Sequence, residues 1–520
     1  MSNSTRRQNT YANPVLPGFH PDPSVCRVGD DYYLATSSFE YSPGVPLFHS
    51  RDLVHWRAVG HALTRPSQLD LAGCGSSTGI FAPTLRHHGG RFHLVTTNVH
   101  LRRNFYVWAD RIDRPWSEPV WLDWPGIDPS LCFDHEGSVL ITGNGGFLGD
   151  EPKGLYQASI DLSTGRRLSE RRLIWTGTGG KAPEGPHLYR IGGRYYLLVA
   201  EGGTEYGHMV TIARSDDPFG PFESCPRNPV LSHRSLEHPV QATGHADLVQ
   251  AADGGWWAVC LGIRPAPLPF APQRHHLGRE TCLVPVSWDA DGWPVFGDAG
   301  RVPLRGDAGS LPLAPGRQDS GDDDFASPTL APSWSVLRAP PTPRWSLTER
   351  PGSLVLHGTA ETLDDAGAPA FVGRRQQHFD CRAEVVLAFA PVRDGEEAGL
   401  AVFMNERFHH EVALVRRAGC ARLVLRQRLG GLWKETYDEP FDAHEVVLTV
   451  TADARHYRFH AGAPGAPLAS VGEAECALLS TEVAGGFTGV HFALYATGRG
   501  AASRTSAAFS AFRYVGGQAA

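Results

Sequence analysis

GGRYYLLVAEGG, residues 192–203, is a glycine turn that launches a strand of aromatic and β-branched residues, and it has siblings along the chain. GDDYYLATSS (29–38), GGRFHLVTTN (89–98), HEGSVLITGNG (135–145) and GGWWAVCLGI (254–263) repeat the pattern. Roughly 45 to 65 residues separate successive copies, the period of propeller blades and similar arrays. Five copies predict an all-β fold, a five-bladed β-propeller whose blades are small antiparallel sheets around a central channel. A sandwich of ordinary hairpins is the alternative.

The stretches just before these turns carry the chemistry. They read PDPSVCRV (21–28), FAPTLRHH (81–88), DPSLCFDH (128–135), EGPHLYRI (184–191) and HADLVQAA (245–252). If the blades are equivalent, one geometrical position receives Asp22, the Phe81–Ala82 pair, Asp128, Glu184 and His245. Innermost strands begin at the channel mouth, so these side chains converge there. Taken singly, each has a plainer reading. Asp22 and Asp128 can close Asx turns, His245 can be a hydrogen-bonded core residue, Arg279 a surface ion pair, and Phe39 and Trp56 core. The shared position is what favours function.

Three carboxyls in one confined funnel repel one another and resist desolvation, so their convergence implies a role. Glycoside hydrolysis uses such a set: one carboxylic acid protonates the leaving oxygen and a carboxylate activates water from the other face. Blades 3 and 4 are neighbours, so Asp128 is expected beside Glu184, raising its pKa and keeping it protonated as general acid. Blade 1 lies across the ring, which makes Asp22 the general base. A cross-channel gap of roughly 6.5–9.5 Å suits an inverting reaction.

Bulk properties agree with an ordinary globular chain. Its 520 residues exceed one usual core, and 20% charged with 41% hydrophobic residues is typical. A formal net charge of −7 gives no footprint for nucleic acid or an anionic membrane. MSNSTRRQNTYANPV carries no apolar segment, so neither leader nor anchor is expected, and Arg6–Arg7 read as a disordered start. Nine scattered cysteines without a CxxC argue against disulfides and zinc, and a cytoplasmic location is expected.

NPVLPGFHPDPSVCRVGDDYYLATSSFEYSPGVPLFHSRDLVHW (13–56), GIFAPTLR, GIDPSL, PEGPHLY, TGHADLV and LGRET, in this order, resemble glycoside hydrolase family 43, within it the two-domain β-xylosidases and α-L-arabinofuranosidases. The resemblance implies a five-bladed propeller with Asp22 as base, Glu184 as acid and Asp128 orienting that acid. It further implies that Arg279 and His245 belong to the sugar subsite, with His245 near a channel-bound ion or water, and that Phe39, Phe81 and Ala82 line the pocket. Many relatives have Trp where this chain has Phe81, and the smaller ring offers less stacking area to a sugar.

PLRGDAGSLPLAPGRQDS marks a Pro/Gly/Ser-rich linker, dividing the chain into a propeller at 1–303, a linker at 304–321 and a second domain at 322–520. Alternating segments such as CRAEVVLAF (381–389), HEVALVRR (410–417) and HEVVLTVTA (444–452) predict a β-sandwich there. It resembles the concanavalin-like domain of these xylosidases, in which a loop closes over the pocket. GGFTGVHF (485–492) resembles that loop, making Phe487 a lid contact or, equally, a core side chain.

The expected function is an inverting exo-glycosidase that removes terminal β-D-xylose from xylooligosaccharides, with α-L-arabinofuranose as alternative or parallel substrate. A non-catalytic sugar-binding propeller and an interaction scaffold are the rivals. A small oligosaccharide is the expected partner, with no nucleic acid or membrane; a homo-oligomer is left open. No cofactor and no catalytic metal are required, and room remains for a structural calcium in the channel.

Overall fold

A computed structural model describes residues 9–134, 137–147, 151–267, 273–314, 321–338 and 344–517. The Arg6–Arg7 start, His135 and Glu136 of the third repeat, and residues 315–320 of the expected linker lie outside the described residues.

Five antiparallel sheets follow one another in chain order, as the repeat requires. Their inner strands are Ser24–Val28, Thr84–His88, Ile127–Phe133, Glu184–Ile191 and Gln241–Gln250. The five turn-launched segments form the second strands, for instance Arg194–Glu201 and Trp256–Ile263. Outward-facing apolar positions pack between adjacent blades: Leu198, Val210 and Ile212 of blade 4 meet Leu248, Ala258 and Val284 of blade 5. Burial of such stripes on both faces of each blade is what holds the ring.

Hydrogen bonds across the channel add to ring closure. The inner strands place Ser24, Thr84, Ser130, His187 and Asp247 at one level, all buried. Arg86 reaches across to both oxygens of Asp247, at 2.7 and 3.1 Å, and Ser24 Oγ donates to the same carboxylate at 2.7 Å. Tyr189 also donates to it. Blades 1, 2, 4 and 5 are thus tied through one anion. Behind the ring, Thr10–Ala12 pairs with Arg305–Asp307, and Ala308 and Leu311 are buried against the same cluster. The stretch expected as a linker is therefore ordered through residue 314: its apolar residues find a core, and the strand pairing satisfies its backbone.

The C-terminal region is a sandwich of an eight-stranded and a seven-stranded sheet around one large apolar core. The eight-stranded sheet ends on Trp334–Leu337 and then on Tyr41–Ser42, a two-residue strand from blade 1. Its other face packs Phe371, Phe403 and Tyr495 against Phe19, Phe39 and Tyr41. Among the described residues, no helix is long and apolar enough to cross a membrane.

Candidate active site

The inner strands of blades 3, 4 and 5 open on an irregularity. In blade 3 Ile127 pairs with Asn144 and the ladder resumes at Ser130; in blade 4 Glu184 pairs with Ala200 and it resumes at His187. In blade 5 Gly244 pairs with Leu261 and it resumes at Asp247. The first skipped residue is left-handed in each case, with Asp128 at φ 52°, Gly185 at 55° and His245 at 46°, and Asp22 of blade 1 stands at 53°. Non-glycine residues held there concentrate at functional sites.

This register corrects the expected equivalence by one residue. Asp22, Asp128 and His245 do share a position, but in blade 4 it belongs to Gly185. A Cβ there would lie 2.8 Å from the His245 ring, so only glycine fits. Glu184 projects from the residue before, the position that Phe81 takes in blade 2, where its N–H bonds the Thr97 carbonyl at 3.0 Å. Ala82, buried, takes the place of the acids.

The three carboxyls nevertheless meet in one electrostatic environment. Asp22 accepts Ser37 Oγ at 2.5 Å and Arg279 Nη1 at 2.8 Å, with His245 Nδ1 at 3.8 Å. Burial works to raise its pKa, but Arg279, His245 and Ser37 outweigh it and hold the carboxyl below its usual range. Asp128 accepts the Gly185 N–H at 3.1 Å. Burial, against the pull of His245, pushes its carboxyl up to about 6. Glu184 is driven well above the ordinary value by burial first, then by the Asp128 and Asp22 charges. No hydrogen bond from a described residue ties up its carboxyl. The environment therefore drives the two carboxyls apart, Asp22 toward the ionised form and Glu184 toward the protonated one.

Aromatic rings wall the same space. Phe39 packs on Phe81 at 5.1 Å and on Phe487 at 6.0 Å, the last nearly parallel. The Arg279 guanidinium stands 5.6 Å from the Phe39 ring and 5.5 Å from that of Phe487. It also donates to Thr204 Oγ1 at 3.0 Å and the Phe487 carbonyl at 3.4 Å. Phe487 thus stands in the aromatic wall, and Ser77 Oγ fixes its N–H at 2.8 Å. Arg279, for which a surface ion pair was one reading, is buried with its partner.

Sequence reasoning missed Ser37, Ser77, Thr204 and His208. His208 is buried, and burial with the His245 and Arg279 charges nearby pushes its pKa down to about 3. A Cβ on Gly244 would lie 1.9 Å from its ring. Ser37 lies within the GDDYYLATSS repeat but is not singled out there, and the other three occupy no repeated position, so the repeat could not point to them. Asp247 and Arg86 did sit inside the quoted repeats, a few residues beyond the ring.

Among the described residues, no group of three or more His, Cys, Asp or Glu side chains is arranged to hold a metal ion. The channel carboxylate Asp247 is already engaged by Arg86, Ser24, Tyr189 and the Val25 N–H, so the channel does not fit a calcium ion there.

The profile of "Glycosyl hydrolases family 43" matches residues 11–294, and that of "Beta xylosidase C-terminal Concanavalin A-like domain" matches 322–515. The chain is 44% identical to a non-reducing end alpha-L-arabinofuranosidase of Bacteroides ovatus, over 99% of this chain and 96% of the relative. It is 37% identical to a xylosidase/arabinosidase of Butyrivibrio fibrisolvens, covering 96% and 98%. The solved structure of a xylan beta-1,4-xylosidase from Bacillus halodurans superposes with a TM-score of 0.90 at 35% identity, covering 97% of this chain and 99% of its own.

Proposed function

The chain belongs to the glycosyl hydrolases of family 43, and from that premise we propose an inverting exo-glycosidase that releases one terminal pentose from short oligosaccharides. The observation that carries this reading is the shared environment of three carboxyls. Asp22 is held by Ser37 and Arg279, and Asp128 accepts the Gly185 N–H beside Glu184. Asp22 is pulled toward ionisation while Glu184 is pushed toward protonation. Ionised Asp22 takes a proton from water on one face of the sugar while protonated Glu184 gives one to the glycosidic oxygen on the other. Asp128 keeps Glu184 protonated and holds the Gly185 backbone in place. Arg279 neutralises Asp22 on one side and offers donors to sugar hydroxyls on the other. Hydrolysis by these groups needs no cofactor.

The aromatic wall, completed from the sandwich by Phe487, supports removal of a chain-terminal unit over attack within a polymer. β-D-Xylose is the first substrate proposed. The Bacteroides ovatus relative, matched over nearly the whole chain, favours α-L-arabinofuranose as the second. With soluble oligosaccharides as substrate, a cytoplasmic location is part of the proposal, tested by cell fractionation. Proton NMR of the first-formed sugar tests the chemistry. An aryl β-xyloside should give α-xylose, and a β-anomer appearing first would rule out the inverting assignment. Side-by-side turnover of aryl β-xyloside and aryl α-L-arabinofuranoside decides the pentose.

A further inference from the structure

Behind the sugar pocket, where blade 1 meets the sandwich edge, lies a separate cavity of about 460 Å³. Four arginines and four histidines contribute to its lining, with no Asp or Glu among the described lining residues. Two of the histidines are already matched to acids outside the wall: His49 to Asp31 and His55 to Asp52, each at 2.7 Å. Arg51 lies 3.7 Å from the same Asp31.

Arg375 is not matched. It is 5% exposed, and its side-chain hydrogen bond runs from Nε to the Phe19 carbonyl at 2.8 Å. Its Nη nitrogens bond no described residue, and no described carboxylate lies within 4.0 Å of the guanidinium. Its titratable neighbours are His20, His61 and His491, all buried and held neutral by burial with the help of this cation, and Tyr41, whose hydroxyl burial holds protonated. Burial lowers the Arg375 pKa to about 10, so the side chain stays charged at neutral pH. A buried cation without a counter-charge is costly, and proteins normally pair it.

We propose that this cavity binds a small inorganic anion, with Arg375 as its principal ligand. A guanidinium presents paired N–H donors suited to an oxyanion. The cationic lining draws the anion in, and no acid among the described lining residues opposes it. The site is distinct from the sugar pocket, with the Phe19 ring, 5.8 Å from Phe39, standing between them.

The test is calorimetric titration of the full chain with phosphate, and then with sulfate and chloride. One-to-one saturable binding is expected, weakened at least ten-fold in Arg375→Gln and unchanged in Arg279→Gln, the pocket's own cation. No saturable binding of any of the three anions to the wild-type chain would overturn the proposal. So would binding that Arg279→Gln abolishes and Arg375→Gln leaves intact. Should Arg375→Gln fail to fold, crystals soaked in bromide decide the matter. An anomalous peak against Arg375 upholds the site, and an empty cavity beside peaks elsewhere refutes it.

Discussion

Replacing Asp128 with asparagine isolates what one negative charge does to the proposed acid. The amide oxygen of the substituted side chain can still accept the Gly185 N–H that Asp128 accepts at 3.1 Å, so the backbone under Glu184 keeps its support. The charge is what goes. A like charge within about 6 Å, at an effective dielectric of about 20, repels a carboxylate by about 3 kcal/mol. Its removal therefore lowers the Glu184 pKa. Wild-type Asp128, with a pKa of about 6, is ionised at pH 7 and supplies the repulsion there. The alkaline limb of kcat/KM reports loss of the Glu184 proton, so in Asp128→Asn it should move toward acid by about one to two units. At a pH on the alkaline limb of both enzymes, an aryl xyloside with a poor leaving group should lose about 10- to 100-fold in kcat/KM. A dinitrophenyl xyloside, whose leaving group needs no proton, should lose less than about ten-fold. An unmoved limb, or equal losses on the two substrates, would refute the assignment of Asp128 as the group that keeps Glu184 protonated.

Three further outcomes follow from the geometry. Gly185→Ala puts a methyl group 2.8 Å from the His245 ring at a left-handed φ, and should cost about 1–3 kcal/mol in urea unfolding. It should also displace Glu184, lowering kcat on poor leaving groups more than KM changes. Phe487→Ala removes one ring of the aromatic wall and should raise KM for xylobiose about ten-fold, an effect of about 1–2 kcal/mol, with a smaller change in kcat. Asp247→Asn strips the channel of its shared anion and should cost about 3–5 kcal/mol at pH 7. Although burial works to raise it, Arg86 and His187 hold the Asp247 carboxyl well below the ordinary range. Its contribution is therefore full above about pH 4, the unfolded value, and is lost as pH falls through the folded one. Urea midpoints of wild type and Asp247→Asn should converge in that acidic window.

The propeller was legible because each blade repeats its turn and its aromatic strand, so five weak signals reinforce one another. The same logic found Asp22, Asp128 and His245, which share a backbone position. It slipped at Glu184 because a sequence alignment cannot see that Gly185 carries the left-handed conformation while the carboxyl comes from its neighbour. Short elements were invisible for a different reason. Tyr41–Ser42 and Trp334–Leu337 are two and four residues long, too short for any period to register. His208 and Ser77 reach the site from single loops or outer strands, and only tertiary packing brings them in. The glycine- and proline-rich stretch after 303 read as loose because composition reports turns, whereas Leu311 and the pairing of Arg305–Asp307 hold it down.

The position of Tyr41–Ser42 bears on what the second domain is for. Phe39, Glu40 and Tyr41 are consecutive, yet they serve three structures: the aromatic wall, a buried anchor and the sandwich sheet. Phe39 is pinned by reciprocal backbone bonds to Ile80, at 2.9 and 3.1 Å. Glu40 accepts Ser76 and the Ser77 N–H, the latter at 3.0 Å, and its own carbonyl receives the Arg338 N–H at 2.8 Å. Tyr41 pairs with Leu337 and stacks on His491 at 4.2 Å. Ser77, one residue from Ser76, fixes Phe487. A sugar-binding module appended to an enzyme would be tied to it by few contacts and could be moved without disturbing the reaction. Here the strand that finishes the sandwich begins two residues after a pocket wall, and a loop of the sandwich supplies the facing ring. The sandwich is therefore part of the pocket itself, and the shape offered to the terminal sugar is a joint property of both folds.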